Sequence, residues 1–143
     1  MARDRYKYGV FKKFENANFK VIPFPTSGGG KKGECRPDFI AGNGRIRIVC
    51  EMKDVASFPI RLSESDVQPV KIYADYFSAL GFILAKLKKL KTWKLFKIED
   101  LTKSGKNSYL ITEETWEVGL SLKDFLNKSN KNQINLKKDY KRP

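Results

Sequence analysis

Two runs of apolar and β-branched residues flank the dipeptide Asn43-Gly44, and this pattern predicts a β-hairpin over residues 37–53. Asn-Gly is the dipeptide that most strongly favours a two-residue type I′ turn. A two-residue turn at this position pairs the strands so that Asp38 lies opposite Val49. Because the pairing decides which side chains share a face, it also predicts where the polar residues of the hairpin point.

Three charged residues of this hairpin are expected on one face of the sheet. Side chains alternate between faces along a strand, so Asp38, Glu51 and Lys53 point the same way. In the predicted register Asp38 and Glu51 are diagonal neighbours, roughly 7–8 Å apart at the backbone. Two carboxylates at that separation are within reach of one cation, and an ammonium group follows one pleat later.

Helical and extended patterns alternate along the rest of the chain and predict an α/β protein. Strands are expected at 19–24, 58–62, 81–87, 92–98 and 109–111, and helices or helical turns at 3–17, from 63–66 to about 80, within 99–127 and at 122–126. The stretch from Ser63 to Asp66 offers N-caps and early acidic residues for the longest helix.

Two helices carry apolar stripes that are expected to face the core. The first helix places Val10, Phe11 and Phe14 on one side, while much of its remaining surface is basic and aromatic. The second helix has a longer stripe, extended by two tyrosines, that consists of Val67, Val70, Tyr73, Ala74, Tyr76, Phe77 and Leu80. We expect the tyrosines to pack in the protein rather than to stack on bases.

The overall charge indicates an anionic partner. There are 29 basic and 16 acidic residues, for a net charge of +13, which favours nucleic acid over an anionic membrane surface. A hydrophobic content of 41% is sufficient for one folded domain. The sequence contains no stretch of ~20 apolar residues and begins without an apolar region, so we expect a soluble, DNA-associated protein of the cytoplasm.

The absence of histidine restricts the available chemistry. It excludes a histidine general base, a Ser-His-Asp triad and histidine-ligated zinc. Catalysis would use carboxylates, lysine, tyrosine, serine or a hard metal ion. The two cysteines, Cys35 and Cys50, have no metal-ligand spacing and are expected to be reduced thiols.

Basic residues concentrate near the N-terminus, in loop 25–36 and between two predicted strands. The candidates for phosphate contacts are Arg3, Arg5, Lys31, Lys32, Arg36, Lys88, Lys89 and Lys91. Loop 25–36 lacks the Gly-x4-Gly-Lys-Ser/Thr spacing of a P-loop, and it is either a flap that closes over a DNA backbone or a plain connector. After residue 127 the composition shifts to asparagine, lysine and glutamine, so a folded domain at 1–127 and a disordered basic tail at 128–143 are expected.

A carboxylate just after Pro37, followed by Glu51-x-Lys53, resembles the signature of the PD-(D/E)xK nuclease superfamily. Asp38 and Glu51 supply hard oxygen ligands for Mg2+, with the Met52 carbonyl as a further ligand and Mn2+ as a substitute ion. The bound ion would lower the pKa of a coordinated water and neutralise charge on the scissile phosphate. Lys53 would orient that water or stabilise the pentavalent phosphate oxygens.

The resemblance extends, over roughly residues 5–127, to the archaeal-type Holliday junction resolvases. It rests on Ser27 in a Gly/Lys-rich loop and on the segments Pro37 to Ala41, Ile48 to Lys53, Asp66 to Gln68, Phe82 to Leu84, Trp93 to Ile98 and Gly119 to Asp124. The resemblance implies a restriction-endonuclease-like core with a mixed central β-sheet flanked by helices, so that 1–127 is a nuclease domain. It further implies a Mg2+-dependent homodimer, acting in DNA recombination and repair, that nicks two opposed strands of a four-way DNA junction. The family's loop serine falls on Ser27, its metal carboxylates on Asp38 and Glu51, and its lysine on Lys53.

One position departs from the family pattern. The family carries a glutamate on the first helix about a dozen residues before the first strand, and with Phe19 opening that strand the position falls on Lys7. A lysine cannot ligate a metal. Asp4, one turn earlier on the same helix face, is the candidate replacement, and the alternative is that Asp4 is a solvent-exposed charge.

A two-fold homodimer matches a junction that is itself close to two-fold symmetric. Tyr73, Tyr76, Trp93 and Phe96 are either interface candidates or ordinary core residues. In the tail, Gln133 to Tyr140 partly matches the peptide that docks on sliding clamps, with Asp139 in place of the first aromatic residue, and a plain basic DNA-contacting tail is the alternative.

Two other functions are compatible with these residues. One is a different endonuclease of the same superfamily. The other is a non-catalytic nucleic-acid-binding protein with a decayed site, an alternative that the lysine at position 7 supports and that the intact Asp38, Glu51 and Lys53 oppose.

Overall fold

The computed structural model describes residues 5–25 and 35–129. Its strands are β1 (Lys20–Pro23), β2 (Phe39–Gly42), β3 (Arg47–Val55), β4 (Ile60–Ser63), β5 (Leu80–Leu87), β6 (Trp93–Lys97), β7 (Thr102–Lys103), β8 (Ser108–Ile111) and β9 (Leu120–Ser121). Its helices are α1 (Arg5–Asn16), α2 (Glu64–Phe77), the single turn α3 (Glu113–Trp116) and α4 (122–129), with a 3-10 turn at Ile98–Asp100. Across these ranges no helix is both long enough and apolar enough to span a membrane.

The central sheet contains six strands in the order β1-β2-β3-β5-β6-β9. β3 and β5 are parallel, and every other neighbouring pair in this sheet is antiparallel. The parallel pair requires a crossover connection, and α2 provides it. A second, smaller sheet has the order β4-β8-β7. The mixed central sheet of the predicted fold class is confirmed.

Hydrophobic residues cover both faces of the central sheet. On one face α1 and α4 pack over the sheet through Val10, Phe14 and Phe125. On the other face α2 and the small sheet contribute Val67 and Ile60, among others. The sheet is therefore flanked on both sides, as the restriction-endonuclease-like expectation requires.

The first helix is positioned by its aromatic face and ended by an asparagine. Phe14 is fully buried and makes edge contacts with the rings of Phe19 and Phe39, at centroid distances of 5.3 and 5.4 Å. Asn18 adopts a left-handed φ of 72°, and the amide of Phe19 donates to the carbonyl of Phe14. These are the features of a Schellman C-cap, in which asparagine is tolerated.

The hairpin register differs from the prediction by two residues. Ile40 pairs with Val49, so Asp38 comes opposite Glu51 instead of Val49. The turn causes the shift: the Asn43 side chain accepts hydrogen bonds from the amides of residues 45 and 46, at 2.9 and 2.7 Å, and Gly44 takes the positive φ of 94°. A shift of two leaves every side chain on its predicted face, and it places Asp38 and Glu51 directly across from each other.

The apolar stripe of α2 is shorter than predicted. Val67 and Val70 are fully buried, but Tyr76, Phe77 and Leu80 are 84%, 51% and 53% exposed. The helix ends at Phe77 because Ser78 takes a left-handed φ of 51°, and the chain then turns into β5. The expectation that Tyr76, Phe77 and Leu80 pack in the core was wrong.

Two of the proposed interface aromatics are core residues. Trp93 and Phe96 lie in β6 and are 9% and 1% exposed. Their rings contact Tyr6 and Trp116 inside the protein, so neither side chain is available to a partner.

Candidate active site

Asp38, the residue just before β2, is held by the backbone of β3. Its amide donates to the carbonyl of Cys50, and its Oδ2 accepts the amide of Met52 at 2.7 Å. The ladder between β2 and β3 stops at Phe39, so the Met52 amide has no strand partner, and the Asp38 carboxylate takes that role. The hydrogen bond from the Met52 amide fixes the Asp38 carboxylate beside β3.

Glu51 lies directly across from Asp38 on the same sheet face. Burial and the neighbouring charges of Asp38 and Asp66 raise the pKa of Glu51 from 4.5 to about 8, against the opposing effect of Lys53 and Lys7. In residues 5–25 and 35–129 its carboxylate makes no hydrogen bond and no ion pair. A partly buried carboxylate beside a second one is a site that a bound cation would stabilise.

Lys53 is oriented by the start of α2. Its Nζ lies 3.2 Å from Asp66 Oδ1, while Asp66 Oδ2 accepts the amide of Ser63 at 2.9 Å. Asp66 therefore caps the helix and also holds the lysine beside Glu51. The sequence identified Asp66 only as a helix-start residue, because a contact between β3 and α2 leaves no periodic signal.

Lys7 reaches the same site from α1. Its Nζ lies 3.0 Å from Asp38 Oδ1, and both side chains are 15% exposed. The first-helix position at which the resemblance implies a glutamate is therefore occupied by an ammonium group in contact with a candidate metal carboxylate. The sequence predicted that Lys7 is no ligand, but it did not predict this ion pair.

The donor set fits a hard divalent cation in part. Asp38 and Glu51 supply carboxylate oxygens, and the Met52 carbonyl lies on the same edge of β3 as its amide, which meets Asp38. Within the described ranges no cluster of three or more histidine, cysteine, aspartate or glutamate residues has metal-binding geometry. Asp4, the candidate third carboxylate, lies outside those ranges.

Basic side chains follow the same end of the sheet. The turn after β5 carries Lys88, Lys89 and Lys91, all exposed, and the Lys88 amide donates to the carbonyl of Val55 just beyond Lys53. Lys88 also lies 3.5 Å from Asp54, which offsets part of its charge. Arg36 is exposed immediately before the hairpin.

Several predicted residues lie outside the described ranges. These are Arg3 and Asp4, the loop residues Ser27, Lys31 and Lys32, and the clamp-like segment 133–140. Arg5 is the first residue of α1. The helix α4 runs to residue 129, through the first two positions of the predicted tail, and the remainder of that tail is also outside the description.

The cysteines are not paired with each other. Cys35 is exposed and Cys50 is buried in β3, and both are free thiols, as predicted. Burial, together with the nearby Asp38 and Glu51, raises the pKa of the Cys50 thiol well above its ordinary value. Cys50 is therefore an inert core residue behind the site.

The chain is similar to known proteins in both sequence and fold. The model of the archaeal Holliday junction resolvase (Hjc) family matches residues 6–134. A crossover junction endodeoxyribonuclease Hjc from Archaeoglobus fulgidus is 31% identical over 108 residues, which cover 76% of this chain and 71% of that protein. The solved structure of Archaeoglobus fulgidus Hjc, a Holliday junction resolvase, superposes with a TM-score of 0.76 at 27% identity and covers 85% of this chain and 98% of that one. The chain belongs to the archaeal Holliday junction resolvase family.

Proposed function

We propose that this chain is a structure-selective endonuclease that cuts four-way DNA junctions by metal-dependent phosphodiester hydrolysis. The observation that carries the proposal is the placement of Asp38 directly across from Glu51, with Lys53 one pleat further, in the fold of the resolvase family. A site of two carboxylates and a lysine at one end of the sheet has the groups that phosphodiester hydrolysis needs.

The metal site would consist of Asp38, Glu51 and the Met52 carbonyl, with Mg2+ or Mn2+ as the ion. When bound, the ion supplies a water of lowered pKa and neutralises charge on the phosphate. Asp38 is preorganised for this role by the Met52 amide. Lys53, held by Asp66, points its ammonium group at the same face, where it stabilises the negative phosphate oxygens.

DNA binding would use the basic residues around this end of the sheet. Lys89, Lys91 and Arg36 are exposed, and the turn that holds the two lysines follows β5 beside β3. From the sequence we add four further candidates for phosphate contacts, Arg3, Arg5, Lys31 and Lys32. Ser27 would lie in the loop that closes over the DNA backbone. Contacts of this kind fix the register on the phosphate backbone without reading bases.

The homodimer would form through the exposed end of α2. Ile72, Tyr76, Phe77 and Leu80 are 42% to 84% exposed and are grouped where α2 ends and β5 begins. Arg47 donates from its guanidinium to the carbonyls of Phe77 and Ser78, which holds this end in place. An exposed apolar surface on a segment held in place by hydrogen bonds is typical of a subunit interface.

Substitution of Asp38 by asparagine tests the division between cleavage and binding. We expect Asp38→Asn to lower the cleavage rate by at least about a hundredfold while the affinity for the junction is retained, because binding rests on lysines and arginines. The assay measures nicking and gel-shift affinity on the same labelled junction. Asp124→Asn is the matched control, since Asp124 is exposed and its side chain makes no hydrogen bond or ion pair with other described residues. Parallel loss of binding and cleavage in Asp38→Asn would contradict this assignment.

The second candidate function is junction binding without cleavage. The specific observation in its favour is the ion pair between Lys7 and Asp38, which places an ammonium group on a candidate metal ligand. The presence of Glu51 and Lys53 on the same face of the sheet as Asp38 favours the nuclease. Absence of cleavage with Mg2+ and with Mn2+, under conditions in which the junction is bound, would favour the second function.

A further inference from the structure

Both oxygens of Asp38 are occupied by donors from this chain. Oδ2 accepts the Met52 amide at 2.7 Å, and Oδ1 lies 3.0 Å from the Lys7 ammonium group. A peptide amide leaves the second lone pair of its acceptor oxygen free, but a full positive charge repels a second cation. Any divalent ion that uses Oδ1 must therefore replace Lys7 there.

Lys7 is held at this position by the packing of its helix. Val10, three residues further along α1, is 1% exposed, and Phe14 is fully buried against Phe39, the residue after Asp38. Because α1 packs on β2, which begins at the residue after Asp38, the ammonium group is directed at the carboxylate. Its side chain is only 15% exposed, unlike a lysine on a solvated helix face.

An open recess next to Asp38 leaves room for the Lys7 side chain to change position. This recess is bounded by α1 and the end of β1, and it is lined by Lys7, Tyr8, Phe11, Pro23, Phe24 and Pro25. A flexible four-carbon side chain can move its ammonium group from Oδ1 into this open recess without a change in the backbone. The carboxylate can thus exchange one cation for another.

We propose that Lys7 is a built-in counter-ion of Asp38 that competes with the divalent metal for this carboxylate and sets the metal affinity of this chain. The inference rests on the proposed metal site at Asp38 and Glu51. In the metal-free protein the ammonium group neutralises one of two adjacent carboxylates, and on loading the ion displaces it. A carboxylate at position 7 would instead add to the attraction, so the chain binds its metal more weakly than a variant that carries one.

Metal titration of the full chain tests the inference without reference to activity. We expect Lys7→Gln to bind Mg2+ and Mn2+ at least about tenfold more tightly than wild type, as measured by isothermal titration calorimetry. Lys7→Glu should bind these ions more tightly still. Each substitution makes the charge beside the ion less positive, and so reduces its repulsion of the ion. Lys12→Gln is the matched control, because it removes the same charge from an exposed position on the same helix. Its metal affinity is expected to stay within about twofold of wild type. Circular dichroism of each metal-free variant verifies that it is folded.

The outcomes separate the inference from the proposed function. Equal affinity of wild type and Lys7→Gln, with binding abolished by Asp38→Asn, would overturn the competition by Lys7 and leave the proposed metal site intact. Tighter binding by Lys7→Gln that persists in the Lys7→Gln/Asp38→Asn double variant would also overturn it, because the effect would not act through Asp38. Absence of metal binding by wild type and by every variant at position 7 would overturn both the inference and the proposed metal site.

Discussion

The carboxylate of Glu51 lies close to two others, those of Asp38 and Asp66, in a partly buried position. Its raised pKa of about 8 means that the folded protein binds this proton more tightly than the unfolded chain does. The stability supplied by that proton is fully present below the ordinary pKa of 4.5 and is lost as the pH rises through about 8. A metal ion at this site would supply the missing positive charge instead.

This linkage predicts how Glu51→Gln changes stability with pH. In chelator, wild type is expected to lose on the order of 2 kcal/mol of unfolding free energy between about pH 5 and pH 8, whereas Glu51→Gln keeps it, because glutamine has no proton to release. Urea unfolding at several pH values measures the difference. Glu117→Gln, at an exposed position, is the control and should follow wild type. A variant that lost stability with pH as steeply as wild type would show that Glu51 is not the group responsible.

The sequence predicted the shared face of Asp38, Glu51 and Lys53 because alternation along a strand is a local rule. It did not predict the partners of these residues. Asp66 approaches from α2 and Lys7 from α1, and both contacts depend on how helices distant in the sequence pack on the sheet. Residue-level chemistry was therefore predictable within the hairpin and not across elements.

At the scale of elements, the ion pair between Lys53 and Asp66 connects the end of β3 to the start of α2. We expect Asp66→Asn to lower the cleavage rate about tenfold or more while junction affinity is unchanged. The asparagine side-chain oxygen can still accept the backbone N–H of Ser63, but the neutral side chain no longer holds the ammonium group of Lys53. The cost in unfolding free energy should be no more than about 1 kcal/mol. Single-turnover cleavage and urea unfolding measure the two effects.

Ser65→Ala is the control for that substitution, since it changes an exposed side chain in the same helical turn and leaves the carboxylate in place. Its cleavage rate should equal that of wild type. An Asp66→Asn protein that cleaved normally would show that Lys53 needs no support from α2.

The elements themselves were predictable, and their exact ends were not. Apolar periodicity located α1, α2 and five of the six strands of the central sheet, and the two-residue strand β9 was not predicted. The hairpin register was wrong by two residues because the Asn43 side chain, acting as an acceptor for two amides, selects a different turn. The end of α2 was placed too late because the left-handed Ser78 has no distinctive sequence signal.

At the scale of the whole molecule, the fold class followed from the order of helices and strands and from the family resemblance. The sequence did not predict which aromatic residues are buried. Tyr76 was expected to pack in the protein and is 84% exposed, whereas Trp93 is a core residue. A helix stripe records which positions are apolar, but not whether the protein itself or a partner covers them.

The proposed dimer predicts the effect of a charge at this surface. We expect Tyr76→Glu to convert the dimer to a folded monomer, because a carboxylate would be buried without a partner at the interface. Sedimentation velocity measures the change, and Tyr8→Glu is the control at an exposed tyrosine of α1. A Tyr76→Glu protein that remained dimeric would place the interface elsewhere.

The most direct test of the central claim is cleavage of three labelled substrates, a four-way junction, a linear duplex and a single strand, by the full chain with Mg2+. The account predicts paired nicks in opposed strands of the junction, at a rate at least about a hundredfold above the rate on the duplex or the single strand. Cutting of the duplex as readily as the junction would contradict structure-selective resolution of junctions. Cutting of no substrate, with the junction nevertheless bound, would contradict the nuclease assignment altogether.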